Sequence, residues 1–292
     1  MNPPRILLFG RVGQVGWELR RTLAPMSRLV CADFPDVDLA RPKSIRKWIQ
    51  DSSPEIIVNA AAYTAVDRAE TETALAMKIN GEAPGIMAAE AMKRGALLVH
   101  YSTDYVFDGT KTSPYVEEDR PEPLNAYGRT KLAGDTAIQQ VGCDHLIFRL
   151  SWVYGARGGN FMLTMMRLAR EREQLRVVRD QIGCPTWSRL IAEATAQALL
   201  QVRTPDRAAA CTGVYHLCAS GETSWHGFAE AIIDLMPAEG KKCRAVDAIT
   251  SAEYPTPARR PACSVMSCAK LERAFGLHLP DWRESLRQVL EQ

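Results

Sequence analysis

The sequence predicts an α/β fold, with a doubly wound parallel sheet in the first half of the chain and a smaller α+β lobe in the second. Three observations support this prediction. Apolar, β-rich runs alternate with amphipathic stretches as far as residue 150, the runs are apolar at successive positions, and the alternation becomes irregular after Trp152. Strands that are buried on both faces and separated by helices are typical of parallel sheets with right-handed crossovers.

The elements follow one another in a regular order in the first half. We predict strands over residues 5–9, 29–32, 55–59, 96–101 and 145–150, and helices over 15–23, 42–51, 73–94 and 126–141. The second half is predicted to contain helices over 160–173, 188–202, 225–235 and 281–290, strands over 175–179 and 214–217, and a proline-rich loop over 255–261. A chain of 292 residues predicts about two domains. We place them at 1–150, joined by the helix 188–202, and at 151–292.

Composition and charge exclude several classes of protein. The formal net charge is +2 and the basic and acidic residues are interleaved, whereas a nucleic-acid-binding face requires a concentration of basic residues. No run approaches the roughly 20 apolar residues of a membrane-spanning helix, and no signal peptide is evident. The eight cysteines show neither a Cys-x-x-Cys pair nor a metal-ligand spacing. These features predict a soluble cytoplasmic protein with reduced thiols and without nucleic-acid or membrane partners.

A glycine turn lies between the first predicted strand and the first predicted helix. Gly10, Gly13 and Gly16 have the spacing Gly-x-x-Gly-x-x-Gly. The first glycine permits a tight turn, the second lets the backbone approach a pyrophosphate, and the third lets the helix pack closely on the sheet. The amino terminus of the helix supplies free N–H groups and a partial positive charge. The pattern therefore predicts a Rossmann-type dinucleotide site in residues 1–150.

Two charged residues bear on which dinucleotide is bound. Asp33 ends the second predicted strand and would accept hydrogen bonds from the adenosine ribose, which favours NAD. Arg11 lies inside the glycine turn and could pair with the 2′-phosphate of NADP. The sequence therefore leaves NADH and NADPH as alternatives.

A tyrosine and a lysine are candidate catalytic residues. Tyr127 and Lys131 lie four residues apart on a predicted helix, so their side chains face the same cleft. A tyrosine has a pKa of about 10, and a nearby cation stabilises the phenolate and lowers that pKa. Thr103 follows the fourth predicted strand, and its hydroxyl can bind a substrate carbonyl and orient the phenol. The three residues suit carbonyl reduction, in which hydride reaches the carbon and Tyr127 protonates the oxygen.

Seven segments carry a resemblance to a known family. They are ILLFGRVGQVGWEL (6–19), VNAAAYTAVD (58–67), HYSTDYVFDG (100–109), PLNAYGRTK (123–131), FRLSWVY (148–154), DQIGCPT (180–186) and YPTPARRP (254–261). Through them the chain resembles the dTDP-4-dehydrorhamnose reductases, a family of extended short-chain dehydrogenase/reductases, over nearly its whole length.

The resemblance implies an activity and a division of labour. The family reduces dTDP-4-dehydro-6-deoxy-L-mannose (dTDP-4-dehydrorhamnose) to dTDP-L-rhamnose with NADPH or NADH. This reaction is the last step in making a donor sugar for bacterial surface polysaccharides such as lipopolysaccharide O-antigen. Residues 1–150 would then be the NAD(P)-binding Rossmann domain, and residues 151–292 would mainly bind the dTDP-sugar.

The resemblance also implies roles for individual residues. Tyr127 would be the general acid, Lys131 its activator and Thr103 the hydroxyl that holds the carbonyl. The expected substrate-binding residues are Thr103, Asp104 and Trp152, with Arg259 and Arg260 of the proline-rich loop on the diphosphate. The expected cofactor-binding residues, including the glycine turn, are Gly10, Arg11, Gly13, Gln14, Val15, Gly16, Asp33, Asp38, Leu39, Ala62, Tyr63, Thr64, Tyr101, Tyr127 and Lys131.

The chain departs from the family at a metal site. Some members are dimers joined by a magnesium ion that glutamates hold. Glu18 stands at one such position and Glu291 is a candidate for another, but the remaining position carries Arg189, a cation where a carboxylate is needed. The sequence therefore argues against a metal-bridged dimer, and it leaves a homodimer and a Mg²⁺ ion at Glu18 as open alternatives.

Two other functions stay as alternatives. A nucleotide-sugar epimerase or dehydratase shares the predicted fold and retains its oxidised cofactor. The dehydratases follow Thr-Asp with a glutamate, whereas residue 105 is a tyrosine here. A non-catalytic regulatory subunit, related to the partner of methionine adenosyltransferase, would have no need of Thr103, Tyr127 and Lys131. Consumption of the cofactor in stoichiometric amounts would separate these functions from reduction.

Overall fold

The protein is described by a computed structural model that covers residues 3–291. Its strands are β1 (Arg5–Phe9), β2 (Arg28–Ala32), β3 (Ile56–Asn59), β4 (Leu97–Thr103), β5 (His145–Leu150), β6 (Val153–Tyr154), β7 (Gln174–Val178), β8 (Ile182–Gly183), β9 (Thr186–Trp187), β10 (Gly213–His216), β11 (Thr223–Ser224) and β12 (Ala245–Ile249). Six of them form a central sheet in the order β10-β5-β4-β3-β1-β2, and every pair in it is parallel.

Helices cover both faces of this sheet. They are α1 (Gln14–Leu23), α2 (Pro42–Ser52), α3 (Val66–Ala69), α4 (Thr73–Met77), α5 (Ala83–Arg94), α6 (Ala126–Val141), α7 (Phe161–Glu171), α8 (Ser188–Gln201), α9 (Pro205–Ala210), α10 (Trp225–Leu235), α11 (Ala269–Phe275) and α12 (Trp282–Leu290). One hydrophobic core joins the sheet to α1, α8 and α11, and a second joins its other face to α2, α5 and α6. Successive residues of β1 alternate between these cores, as the pleat of a doubly covered strand requires. The predicted doubly wound α/β fold is confirmed.

The sixth strand of the sheet comes from the second half of the chain. β10 pairs in parallel with β5, and Val214 lies opposite Ile147. The helix α8, which precedes it along the chain, packs on the same core as α1. Both halves of the sequence thus contribute to the central sheet. The functional division at residue 150 remains a prediction.

The predicted helix over residues 73–94 is confirmed at both ends, and it contains one irregularity. A π-helical turn at Lys78–Glu82 lies between α4 and α5, and the backbone is helical at both junctions. Asn80, in this turn, donates from Nδ2 to the Tyr63 carbonyl oxygen (3.0 Å) and accepts the Tyr63 N–H at Oδ1 (2.8 Å). Pro84, the second residue of α5, has no N–H to donate. Single π turns are frequent at functional sites, and this one fastens the loop that follows β3.

A third core belongs to the lobe formed by the second half. Its buried side chains come largely from α7, α10 and α12. Three short strand pairs accompany these helices: β7 with β12 and β6 with β9 in parallel, and β8 with β11 antiparallel. None of the helices within residues 3–291 is both long and apolar enough to cross a bilayer.

Candidate active site

A cavity of about 620 Å³ opens at the carboxyl ends of the central strands. It lies where the strand order reverses, because the chain passes from β1 to β2 on one side and continues with β3 on the other. Ligands of open parallel sheets bind at such switch points. The predicted site residues that line this cavity are Gly10, Gly13, Gln14, Val15, Asp33, Ala62, Thr64, Tyr101, Thr103, Asp104, Tyr127, Lys131 and Trp152.

The glycine turn forms one wall of the cavity. Gly10 has a φ of +85°, and a Cβ atom there would lie 2.5 Å from the Ala61 nitrogen. A Cβ atom on Gly16 would lie 1.9 Å from the Gly10 carbonyl oxygen, so only glycine lets α1 begin this close to the turn. Gly13 precedes α1 and faces the cavity, and a Cβ atom there would be 3.6 Å from its nearest neighbour. A phosphate therefore has open access to the first N–H groups of α1.

Two charged side chains lie at the end of β2. Asp33 accepts hydrogen bonds from the backbone N–H of Val12 (2.9 Å) and of Phe34 (2.8 Å), so it closes the glycine turn. Arg11 does not line the cavity, and its Nη2 pairs with Oδ2 of Asp36 at 2.9 Å. A 2′-phosphate on the cofactor would have to compete with Asp36 for this guanidinium.

Besides Arg11 and Gly16, three residues expected to contact the cofactor lie outside the cavity lining. Asp38 pairs with Arg41 at 3.1 Å, and Leu39 packs against the core on the α2 side of the sheet. The Tyr63 hydroxyl donates to a carboxylate oxygen of Glu72 at 2.6 Å. Their contacts with a cofactor remain predictions.

Tyr127 lies in the first turn of α6, close to the end of β4. Asn125 caps the helix, because its Oδ1 accepts the Gly128 N–H at 2.8 Å. A Cβ atom on Gly128 would lie 2.2 Å from the Tyr105 carbonyl oxygen, so the helix begins in direct contact with the turn after β4. This contact brings the Tyr127 phenol close to the Thr103 hydroxyl, which acts to lower the pKa of the phenol.

A hydrogen-bond chain starts at Thr103, next to this phenol. Thr103 Oγ1 donates to Oδ1 of Asp104 at 3.0 Å and accepts the Tyr105 N–H at 3.2 Å. Asp104 also accepts from Ser151 Oγ at 2.9 Å. Burial raises the pKa of Asp104 to about 6, although hydrogen bonds from Ser264 and Ser151 oppose the rise. At neutral pH the hydroxyl beside the phenol is therefore bound to a carboxylate.

Lys131 lies one helical turn beyond Tyr127 and is almost completely buried. Its Nζ donates to the Tyr101 carbonyl oxygen at 2.5 Å and lies 3.2 Å from His100 Nε2. Burial lowers the pKa of Lys131 to about 8, against the opposing effect of the Asp135 carboxylate. The side chain therefore carries its positive charge at neutral pH.

The pKa of Tyr127 differs from the expectation drawn from the sequence. We expected Lys131 to lower it, but burial raises the pKa of Tyr127 to about 12, and the carboxylates of Asp104 and Asp135 add to the rise. Spacing along a helix reveals a neighbouring cation, whereas it does not reveal how far the surrounding protein excludes water. The phenol is a proton donor in this structure, and it stays protonated across the physiological range.

Trp152 occupies a closely packed place on the cavity wall. Its indole stacks on Trp225, with ring centroids 3.5 Å apart and an interplanar angle of 3°. A Cβ atom on Gly183 would lie only 2.4 Å from Trp152 Cε2. The φ of Trp152 is +42°, an unusual conformation for a large side chain. Trp225 also lines the cavity. Sequence reasoning missed it as a site residue, because a tryptophan at the start of a helix gives no signal of its partner.

The two arginines of the proline-rich loop line a second cavity, of about 400 Å³. Arg260 pairs with Asp67 at 2.9 Å, and its guanidinium approaches the Tyr105 phenol closely enough to lower the pKa of that phenol. Because Tyr105 lines the larger cavity, this contact connects the two sites. The side chain of Arg259 is exposed, and it forms neither an ion pair nor a hydrogen bond with other residues in the part of the chain that the structure describes.

The loop after β6 also lines the larger cavity, which sequence reasoning missed. Gly158 and Gly159 of this loop belong to the lining. Asn160 donates from Nδ2 to Gln14 Oε1 (3.1 Å) and to the Gly155 carbonyl oxygen (2.8 Å). The second half of the chain is therefore fastened to the first turn of α1. The pair of glycines before an asparagine helix cap was the only signal in the sequence.

The residues at the expected magnesium positions do not fit a metal site. Glu18 pairs with Arg21 at 3.6 Å, and Arg189 pairs with Glu193 at 3.0 Å. Within residues 3–291, no three His, Cys, Asp or Glu side chains come together in a way that could hold a metal ion. Glu18 and Arg189 thus each already have a partner of opposite charge. The homodimer remains a prediction.

Comparison with known proteins decides the family. The sequence profile described as RmlD substrate binding domain matches residues 4–292. The chain belongs to this family. The resemblance deduced from the seven sequence segments is thereby confirmed.

Relatives within the family match over nearly their full length. A dTDP-4-dehydrorhamnose reductase of Burkholderia thailandensis is 51% identical over 297 residues, which cover 99% of this chain and 100% of that protein. The dTDP-4-dehydrorhamnose reductase of Escherichia coli K12 is 44% identical, over 98% of this chain and 97% of its own. A crystal structure of the Bacillus anthracis dTDP-4-dehydrorhamnose reductase in complex with NADP has a TM-score of 0.90 and 32% identity, and covers 100% of this chain and 99% of that one.

Proposed function

We propose that this protein reduces dTDP-4-dehydrorhamnose to dTDP-L-rhamnose with NADPH or NADH. One observation carries the proposal: Tyr127, the hydrogen-bonded Thr103 and Asp104, and the buried Lys131 meet in a cavity that the glycine turn also lines. Relatives that share 51% and 44% of the sequence bear the name of this reductase. The product, dTDP-L-rhamnose, is a donor sugar for surface polysaccharide. Its formation from dTDP-4-dehydrorhamnose is the last step of dTDP-L-rhamnose synthesis.

The residues of the cavity fit a nicotinamide dinucleotide. The open face of Gly13 and the amino terminus of α1 suit the pyrophosphate, and Asp33 stands where a ribose would be bound. When bound, the reduced nicotinamide supplies hydride to the sugar carbonyl carbon. Because a Bacillus anthracis relative was solved with NADP, NADPH is the first cofactor to test. Because Arg11 is already paired with Asp36, it is less available to bind the 2′-phosphate of NADPH, so NADH stays as an alternative cofactor.

Tyr127 acts as the general acid in this proposal. Its phenol keeps its proton at neutral pH and passes it to the carbonyl oxygen as negative charge develops there. Thr103 holds the phenol oxygen in place, and Asp104 holds Thr103. Lys131, charged below about pH 8, stabilises the phenolate that forms. One C–H bond and one O–H bond form on the sugar, and Tyr127 regains a proton from solvent.

The second half of the chain supplies the surface for the sugar nucleotide. The stacked Trp152 and Trp225 offer a flat apolar wall for the sugar ring, next to the carboxylate of Asp104. The Arg259 guanidinium, which is exposed, suits the diphosphate, and Arg260 holds the loop through Asp67. On this basis residues 151–292 act mainly as the substrate-binding lobe and residues 1–150 as the cofactor domain.

The site favours reduction over the alternatives. A dehydratase needs an acid or base after Thr103-Asp104, and residue 105 is a half-buried tyrosine with a pKa raised above its ordinary value by desolvation. A regulatory subunit has no use for a buried lysine beside a phenol. The eight cysteines, all within the described residues, carry free thiols, which supports the proposed cytoplasmic location.

Enzyme assay tests the proposal directly. We expect the purified protein to oxidise NADPH or NADH in equal amount to added dTDP-4-dehydrorhamnose, followed as loss of nicotinamide absorbance, with dTDP-L-rhamnose as the product. Tyr127→Phe removes the donated proton and keeps the ring, so turnover should fall by roughly two to four orders of magnitude. Full turnover in that variant, or product formation without loss of reduced cofactor, would contradict the proposal.

A further inference from the structure

A second layer of polar groups lies behind the catalytic lysine. His100, on β4, is 1% exposed, and its Nε2 lies 3.2 Å from Lys131 Nζ. On the far side of the ring, Nδ1 lies 3.0 Å from Nδ2 of Asn59, the last residue of β3. Neither Asn59 nor His100 lines the cavity. His100 therefore reaches the site through Lys131.

The backbone determines which ring nitrogen of His100 carries a hydrogen. The Ala61 N–H, which can only donate, lies 3.2 Å from Asn59 Oδ1. The amide oxygen of Asn59 therefore faces Ala61, and its NH₂ group faces His100. Because an NH₂ group can only donate, Nδ1 of the ring accepts, and the hydrogen of a neutral ring sits on Nε2. The ring is neutral, since burial and the nearby Lys131 charge hold the pKa of His100 well below its ordinary value.

This tautomer directs an N–H group at the lysine. An ammonium group has no lone pair, so Nε2–H cannot donate to charged Lys131, whereas it can donate to the uncharged amine. We propose that His100, held by Asn59 in the Nε2–H tautomer, is a positioning residue that stabilises the uncharged form of Lys131 and so sets the upper pH limit of the site. The kinetic part of this inference rests on the proposed reductase function.

Other groups around Lys131 act in the opposite direction or not at all. From α6, Asp135 favours the charged form, and Tyr127 is neutral. From β4, the Tyr101 carbonyl oxygen accepts from Nζ in both forms. Oδ2 of Asp135 is held by Ser102 Oγ at 2.8 Å, and Arg149 of β5 lies 3.5 Å from it. Oδ1 of Asp135 lies 4.0 Å from His100 Nε2, too far for a hydrogen bond, so Lys131 is the nearest acceptor for that N–H.

Nuclear magnetic resonance of the intact protein tests the tautomer without any substrate. Long-range ¹H–¹⁵N spectra distinguish Nδ1–H from Nε2–H rings, and His100→Gln identifies the signal among the five histidines. We expect Nε2–H in the native protein. In Asn59→Asp the carboxylate accepts from Nδ1–H, so the signal should change to the other tautomer. A native ring with its hydrogen on Nδ1, or with both nitrogens protonated, would overturn the inference.

The titration of Lys131 is read from the same protein labelled with ¹³C-lysine, with Lys131→Arg for assignment. In the native protein we expect a midpoint near pH 8, and we expect Asn59→Asp to raise it by about one pH unit or more, the scale of one hydrogen bond. Asn59→Leu removes the NH₂ donor without adding a charge and should raise the midpoint by less. His216→Gln alters another buried histidine, on β10, and should leave it unchanged. An unchanged midpoint in both Asn59 variants would refute the role of His100.

Kinetics then connect the titration with catalysis. In the native protein kcat/KM for the sugar nucleotide should fall as pH rises through about 8, and in Asn59→Asp that fall should move to higher pH together with the lysine midpoint. If the lysine midpoint moves but the pH at which kcat/KM falls does not, the link to catalysis is refuted. If the native protein does not reduce the sugar nucleotide, the proposed function fails, and the two spectroscopic results still decide the inference about His100.

Discussion

Gly183→Ala tests whether the position of Trp152 controls binding of the sugar nucleotide. The added Cβ atom would lie 2.4 Å from Cε2, 2.6 Å from Nε1 and 2.8 Å from Cζ2 of the indole. These distances are about 1 Å shorter than ordinary contacts between packed atoms. The indole has little freedom to move away, because Trp225 is stacked 3.5 Å from it. Overpacking of this kind costs about 1–3 kcal/mol, so kcat/KM for the sugar nucleotide should fall roughly 5- to 150-fold.

The assay is steady-state kinetics with dTDP-4-dehydrorhamnose, together with titration of NADPH binding by nicotinamide fluorescence. NADPH affinity should stay unchanged, because the substitution lies in the lobe and away from the glycine turn. Gly159→Ala is the matched control: it lines the same cavity, and a Cβ atom there meets nothing within 4 Å. In a Trp225→Ala background the indole has room to move, so the added effect of Gly183→Ala should shrink. Native kcat/KM in Gly183→Ala would refute the reasoning.

Two further predictions concern charged side chains. Asp104→Asn should remove a pH dependence of stability. As pH rises from 4 to 6, the free energy of unfolding of the native protein should fall relative to that of the variant by up to about 3 kcal/mol. The reason is that the Asp104 carboxyl has a pKa of about 6 in the folded protein and of 3.8 in the unfolded chain. If free energies of unfolding from urea denaturation change with pH in the same way in the native protein and in the variant, this prediction is contradicted. Arg259→Gln should raise KM for the sugar nucleotide about tenfold with an unchanged Tm, whereas Arg260→Gln should also lower Tm, since it breaks contacts with Asp67 and Tyr105. Kinetics and thermal denaturation check both, and equal Tm values would count against the distinction.

Local sequence patterns predicted the local elements of the fold well. The strands 5–9 and 145–150 and the helices 126–141 and 225–235 agree with the structure at both ends. The helix over 73–94 also agrees at both ends, but the π turn inside it was not predicted, and this turn carries the hydrogen bonds between Asn80 and Tyr63. Helix propensity along the chain carries no information on such a tertiary contact.

The residues of the candidate site also divide into those that the sequence could predict and those that it could not. Tyr127, Lys131 and Thr103 could be predicted, because their chemistry and their order along the chain are visible in the sequence. Trp225 could not, since it matters only through stacking on Trp152, which lies far away in the sequence. The pKa of Tyr127 was misjudged for a related reason, because burial depends on the packing of the whole cavity wall.

The position of α6, which carries Tyr127 and Lys131, depends on two glycines. A Cβ atom on Gly128 would lie 2.2 Å from the Tyr105 carbonyl oxygen, and one on Gly134 would lie 2.2 Å from the Asn80 carbonyl oxygen. Both glycines therefore let α6 approach its neighbours more closely than alanine would allow. Because Tyr127 and Lys131 belong to the same rigid helix, this close approach brings the phenol and the ammonium to the end of β4 together. A tyrosine and a lysine at the same spacing on a more distant helix would face solvent, which is why their spacing alone is weak evidence of catalysis.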